Sequence, residues 1–250
     1  MTPVAPKFQS LSIVFPMWNE EAYVEATLAA ATEVCGELVA AGEIGTYELV
    51  VVDDASTDAT GSIADQLASA DPHVRVVHHA VNRTLGASVR SGFAAATSEL
   101  VLYTDADLPC DLAEVAKACR LLRYHNADIV SAYRHDRTGE GPRRALYSWA
   151  YNWLVRLTLG LYLRDVNFAF KLCRRSVLDK IELVSEGSFF DVELLVRATR
   201  KGFKVIQFGV DYFPRSRGVS TLSSGPVIAR IVTDMVSLRR ELRGGQPPGP

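Results

Sequence analysis

The chain has 250 residues, 48% hydrophobic and 22% charged, enough to enclose one large α/β core. With 27 Lys and Arg against 29 Asp and Glu the net charge is -2, which argues against a broad nucleic-acid-binding surface. No run approaches the roughly 18 apolar residues of a membrane span, and Cys35, Cys110, Cys119 and Cys173 lack metal-site spacing, which suggests a reducing, cytosolic compartment.

Met1 to Ser10 holds no apolar run, so no secretory leader is expected. Leu11 to Phe15 reads as a strand closed by Pro16, and Asn19-Glu20-Glu21 opens a helix over roughly 20–41. Tyr47 to Val52 is rich in β-branched residues, the pattern of a parallel strand covered on both faces. It ends in Asp53-Asp54 and then in Ala55-Ser56-Thr57-Asp58, small polar residues suited to starting a helix over 58–70. A strand at Val74 to Val77 ends in His78 and His79, which face opposite ways and so share no ligand. Arg83-Thr84-Leu85-Gly86 precedes a helix over 85–97; its N-terminus suits a phosphate, or Gly86 serves a tight turn and positions the segment.

Leu100 to Tyr103 is a buried strand ending in Asp105-Ala106-Asp107, followed by a helix over 111–125 and a strand at Asp128 to Ala132. Alternating strands and helices imply one twisted, mostly parallel sheet with right-handed crossovers. Residues 144–163 carry two Trp and three Tyr, with Leu146, Trp149, Ala150, Trp153, Leu154, Leu157 and Leu161 at helical spacing. That suits a helix lying in a lipid headgroup region or one packed on the sheet. Asp191 precedes a helix through Leu194, Val196 and Ala198, where it serves as an N-cap or a general base. A last amphipathic helix, 226–243, ends in Arg239, Arg240 and Arg243, and 244–250 reads as a disordered tail.

The C-terminal end of a strand is where an α/β sheet opens its ligand crevice. Mg²⁺ is usually held there by one or two carboxylates plus substrate phosphates. Asp105 and Asp107 therefore suggest a metal gripping a diphosphate, against the alternative of two acids in a surface turn.

Six ordered motifs resemble the inverting family-2 glycosyltransferases, within them the dolichyl-phosphate (polyprenyl-phosphate) mannose synthase branch. They are Phe15-Pro16-Met17-Trp18-Asn19-Glu20-Glu21, Val51 to Asp58, Asn82 to Ala87, Asp105 to Leu108, Leu163 to Lys171, and Arg215 to Ser220. The resemblance implies a single GT-A-like α/β domain over 8–222. It implies that Pro16, Trp18, Glu20, Val52, Asp54 and Ala106 line a nucleotide-sugar pocket with Asp105 and Asp107, and that these two acids hold Mg²⁺ or Mn²⁺. Arg134, Arg144 and Arg215 would face an acceptor phosphate or the donor diphosphate.

The expected activity moves a hexose, mannose or glucose, from a GDP- or UDP-sugar to a polyprenyl phosphate, on the cytosolic face of a membrane. A lipid phosphate is already an anion and needs guanidinium groups more than a base. A saccharide hydroxyl acceptor would need one, with Asp191 the candidate. A non-catalytic nucleotide-sugar or lipid-binding module is the third possibility.

Overall fold

The computed structural model describes residues 7–135, 142–213 and 225–244, apart from the side chains of 142–149, 225–229 and 243. Arg137, Arg143, Arg144, Trp149, Arg215, Arg217 and Arg243 therefore lie outside the described side chains, as does the segment 245–250.

Apolar runs build the sheet from its centre outward. Strand β1 (Phe8–Met17) pairs in parallel with β2 (Ile44–Asp53), and β2 with β3 (Val74–His78). On its other side β1 pairs in parallel with β4 (Leu100–Thr104). Two strands were not legible as strands: β6 (Phe170–Arg174) and β7 (Val205–Val210). Strand β6 runs antiparallel between β4 and β5 (Ile129–Arg134), and β7 pairs in parallel with β5. The order is β3-β2-β1-β4-β6-β5-β7. The sheet is thus mixed, with one reversed strand in its interior.

Alternation along β1 divides the core into two layers. Leu11, Ile13 and Phe15 join one cluster and Val14 the other. Helices α1 (Val24–Ala40), α2 (Thr60–Ala70) and α4 (Glu114–Tyr124) cover the first face, through residues such as Leu28, Ala64 and Val115. Helices α3 (Thr84–Ala95), α5 (Pro142–Leu159), α7 (Phe190–Arg200) and α8 (Gly225–Gly244) cover the second, through Val89, Val155, Leu195 and Met235. A single turn, α6 (Arg175–Leu178), follows β6. All four cysteines are buried free thiols.

Three boundaries differ from expectation. Pro16 does not close β1 but lies within it, opposite Val52. The first helix starts at Val24, because Asn19 adopts φ 55° and the Glu20 and Glu21 N–H groups donate to Thr60 Oγ1 and Asp58 Oδ2. Gly244, assigned to the tail, is the last residue of α8.

Candidate functional site

The chain adds strands to one side of β1 and then turns to the other through β4. Such a reversal leaves a crevice at the C-terminal ends of the two strands, where α/β sheets bind ligands. Trp18 and the acid pair occupy its two sides.

On the β4 side the strand is entirely buried, and Asp105 and Asp107 emerge half-buried around a buried Ala106. The turn is fixed from two directions. The Thr27 hydroxyl of α1 donates to the Ala106 carbonyl, and the Leu108 N–H donates to Asp105 O at 3.2 Å, with Leu108 at φ 48°. Among the described residues no three His, Cys, Asp or Glu side chains converge as a metal cage. Two hard carboxylates at a crevice are instead the partial ligand set suited to Mg²⁺ or Mn²⁺, with phosphate oxygens and water completing the shell.

On the β1 side Trp18 is 50% exposed. The loop that carries it is stitched to the end of β2: Asn19 N–H donates to Ser56 Oγ at 3.0 Å, and Thr57 N–H to Asn19 Oδ1 at 2.8 Å. A flat ring held over a crevice by such a loop can stack on a base.

The paired acids ending β2 are tied into the scaffold by hydrogen bonds. Asp53 lies opposite His78 in the β2–β3 register. Its Oδ2 is 2.9 Å from His78 Nδ1, and its Oδ1 accepts Ser56 N–H at 3.0 Å. Burial works against ionisation of Asp53, but the Ser56 and His78 hydrogen bonds win and hold its carboxyl below the usual range. Asp54 is buried; it meets His79 Nδ1 at 2.6 Å and accepts the Arg83 and Thr84 N–H groups, each at 2.8 Å. Its carboxylate thus faces the start of α3. His78 and His79 do face apart, and each has its own acid. The signal for this was adjacent acids on one strand and adjacent histidines on the next.

The start of α3 is closed to phosphate. The Glu186 carbonyl accepts Gly86 N–H at 2.6 Å, Ala87 N–H at 3.2 Å and the Thr84 hydroxyl at 2.6 Å. The phosphate alternative therefore gives way to positioning, because Gly86 lets 185–187 pack against the helix.

Strand β6, paired with β4, carries one member of a buried charge pair. Lys171 of β6 places Nζ 2.6 Å from Asp191 Oδ1 and donates to Phe168 O at 2.7 Å. Burial pushes the Asp191 carboxyl up, and the Lys171 ammonium offsets part of that rise. The N-cap of α7 is Phe189, without a side-chain cap bond, so the capping role expected of Asp191 is not what its side chain does. Lys171 was missed because a lysine inside a short strand reads as exposed.

On the far side of the crevice, Arg134 ends β5 and makes a two-point contact with Asp165. Nε and Nη2 each donate at 2.7 Å to the two carboxylate oxygens. The guanidinium lies 5.1 Å from the Tyr212 ring centre and 5.7 Å from that of Phe168.

Helix α5 is apolar on two sides. Val155 and Leu159 are buried, whereas Trp153, Leu154 and Leu157 are exposed, Leu157 at 60%. Helix α8 buries Met235 and Leu238 and exposes Val232 and Val236. It is clamped by Arg197, whose Nη1 and Nη2 donate to Glu241 at 2.6 and 2.8 Å. One stripe of α5 thus packs inward, beside α8, and the other faces outward. Among the described residues no helix is long and apolar enough to cross a membrane.

The model of glycosyl transferase family 2 matches residues 12–182. The chain is 33% identical over 210 residues to glycosyltransferase AglD of Haloferax volcanii, covering 82% of this chain but 33% of that relative's length. It is 29% identical to polyprenol monophosphomannose synthase of Mycolicibacterium smegmatis, over 88% of this chain and 83% of that one. It is also 29% identical to undecaprenyl-phosphate mannosyltransferase of Micrococcus luteus, over 88% and 90% of the two chains. Glucosyl-3-phosphoglycerate synthase from Mycobacterium tuberculosis, solved with Mn²⁺, uridine-diphosphate-glucose and phosphoglyceric acid, shares the fold. The TM-score is 0.66 at 22% identity, covering 96% of this chain and 81% of that one.

Proposed function

Because the chain belongs to glycosyl transferase family 2, we propose that it transfers a hexose, mannose or glucose, from a nucleotide sugar to a polyprenyl phosphate with inversion. The acid pair at the switch point of the sheet carries the donor half of this assignment. The relatives named for polyprenol and undecaprenyl-phosphate chemistry, each matched over most of its length, support the acceptor half.

Trp18 stacks on the base of a UDP- or GDP-sugar, and Asp105 and Asp107 hold Mg²⁺ or Mn²⁺ against its diphosphate. When bound, such an ion neutralises charge on the departing diphosphate. Arg134, oriented by Asp165, and Arg144 and Arg215 hold the acceptor phosphate. That oxygen is already anionic near neutral pH, so its attack on the anomeric carbon from the face opposite the diphosphate needs no proton removed. The fixed positive charges lower the repulsion between the two phosphates as they approach.

The test is a screen of the purified protein against UDP- and GDP-sugars, with and without polyprenyl phosphate, with Mg²⁺ or Mn²⁺ present. Transfer that requires the polyprenyl phosphate is expected. Equal transfer to soluble saccharides without it would replace this acceptor by a hydroxyl.

The outward stripe of Trp153, Leu154 and Leu157 suits a helix lying in a lipid interface, with the protein peripheral on the cytosolic face. Flotation with anionic liposomes is expected at low salt and to weaken at high salt, since basic residues near a surface each add about 1 kcal/mol. Absence from the floated fraction at low salt would point to a soluble acceptor.

A further inference from the structure

The inward side of α8 runs through Met235 and Leu238, which are buried, to Leu242, which is half-buried. Arg239 follows Met235 by four positions, so it stands one turn further along that side. The pattern of an amphipathic helix puts an apolar residue there. Arg239 is half-buried, and its Nε is buried with no hydrogen-bond partner among the described residues. A buried donor without an acceptor is costly, so such a group calls for a bound partner.

Arg239 lines a cleft of about 250 Å³ with Leu242, with Leu157 to Gly160 at the end of α5, and with Arg200. Arg200 is the exposed last residue of α7, where its charge complements the helix dipole. Neither guanidinium makes a hydrogen bond or ion pair with another described residue. Among the described residues no carboxylate lines the cleft, and Glu241 of α8 is taken up by Arg197. The Thr158 hydroxyl is also occupied, donating to Leu154 O at 2.7 Å. Two cations from different helices thus line one recess with no counter-ion.

The walls narrow the choice of anion. Leu157 belongs both to the cleft and to the outward stripe of Trp153 and Leu154, so the recess adjoins an exposed apolar surface. Its volume is below the roughly 300–1,000 Å³ of sites that enclose a drug-sized ligand, so it suits a headgroup and not a whole lipid. A phosphate can accept two N–H groups from one guanidinium.

We propose that this cleft takes the phosphate of an anionic membrane phospholipid between Arg200 and Arg239, with the acyl chains lying along Leu157, Leu154 and Trp153. The site shares no residue with Arg134, Arg144 and Arg215, assigned above to the acceptor phosphate. A headgroup held there fixes which face of the protein meets the bilayer. The inference rests on the interfacial reading of α5 and is independent of the donor and acceptor of transfer.

The experiment titrates the full chain, followed by NMR, with three probes: dihexanoyl phosphatidylglycerol below its critical micelle concentration, dihexanoyl phosphatidylcholine, and inorganic phosphate. Monomeric lipid is used because it carries no surface potential, so a general attraction of basic residues to a charged surface does not contribute. Saturable binding of the phosphatidylglycerol is expected, about tenfold or more tighter than either other probe, since only it offers both charge and chains. Arg200→Gln and Arg239→Gln are each expected to weaken it about tenfold, as for loss of a charge-assisted hydrogen bond. Arg240→Gln, which removes an exposed arginine of α8 outside the cleft, is expected to stay within about twofold of the parent. Thermal unfolding confirms that each variant is folded, and Arg200→Gln changes only an exposed side chain.

Parent-like affinity in Arg200→Gln and in folded Arg239→Gln, while the parent still floats with anionic liposomes, would overturn the cleft and leave the interfacial reading standing. Equal affinity for inorganic phosphate would make it a site for free anions, and equal affinity for the phosphatidylcholine would make it merely apolar; either overturns the proposal. A parent that binds the monomeric lipid but does not float at low salt would overturn the interfacial reading, and the membrane source of the ligand with it.

Discussion

Asp107→Asn is expected to cut sugar transfer by on the order of a hundred- to a thousandfold while the protein stays folded. A metal ligand at a departing diphosphate supplies several kcal/mol of charge stabilisation, and roughly 1.4 kcal/mol is tenfold in rate. Asparagine keeps the shape of the side chain and removes its charge, so the half-buried turn around Ala106 has no reason to collapse. The Thr27 hydroxyl and the Leu108 N–H hold that turn through backbone carbonyls that the substitution leaves in place. Circular dichroism and turnover with Mg²⁺ or Mn²⁺ would be compared with the parent. Transfer within a few-fold of the parent would remove the metal role from Asp107.

Gly86→Ala is expected to destabilise the protein by about 2–3 kcal/mol, in the range of overpacked cores. The added Cβ would sit 2.5 Å from Ser185 O, 2.8 Å from Glu186 C and 2.8 Å from Gly187 O. All three are backbone atoms, so no side chain can swing away. The same segment is held by Glu193, whose carboxylate accepts the Val184 and Ser185 N–H groups, and by Arg230, which pairs with Glu186. Pushing it away from α3 would also break the bonds to the Glu186 carbonyl that close the helix start. For a chain of this size the expected fall in melting temperature is about 4–12 °C. A melting temperature within about 1 °C of the parent, well short of that fall, would show that 185–187 yields freely.

The five strands expected from apolar runs are all present; for interior ones such as β4 the reason is that covered strands must be apolar on both faces. The Asp105-Ala106-Asp107 turn was legible for a related reason. A buried run that ends abruptly in two carboxylates has few uses other than to face a crevice. Strands β6 and β7 were not legible, since Lys171 interrupts one and Gln207 and Gly209 the other. They become strands only because β4 and β5 offer free edges to pair with.

Charge is where sequence and structure part most clearly. The carboxylate of Asp54 caps the start of α3, a contact that its own neighbours in sequence do not announce. Asp191 does not cap its helix, and its carboxylate meets a lysine from another element. By itself the sequence determined the sheet order's raw material, the family motifs and the crevice acids, because each depends on neighbours along the chain. Which acid meets which base was decided by the tertiary structure alone. A buried charge is tolerated only beside a partner, and the partners here are brought together across 20 to 44 positions of sequence: Asp191 with Lys171, Asp165 with Arg134, Glu241 with Arg197.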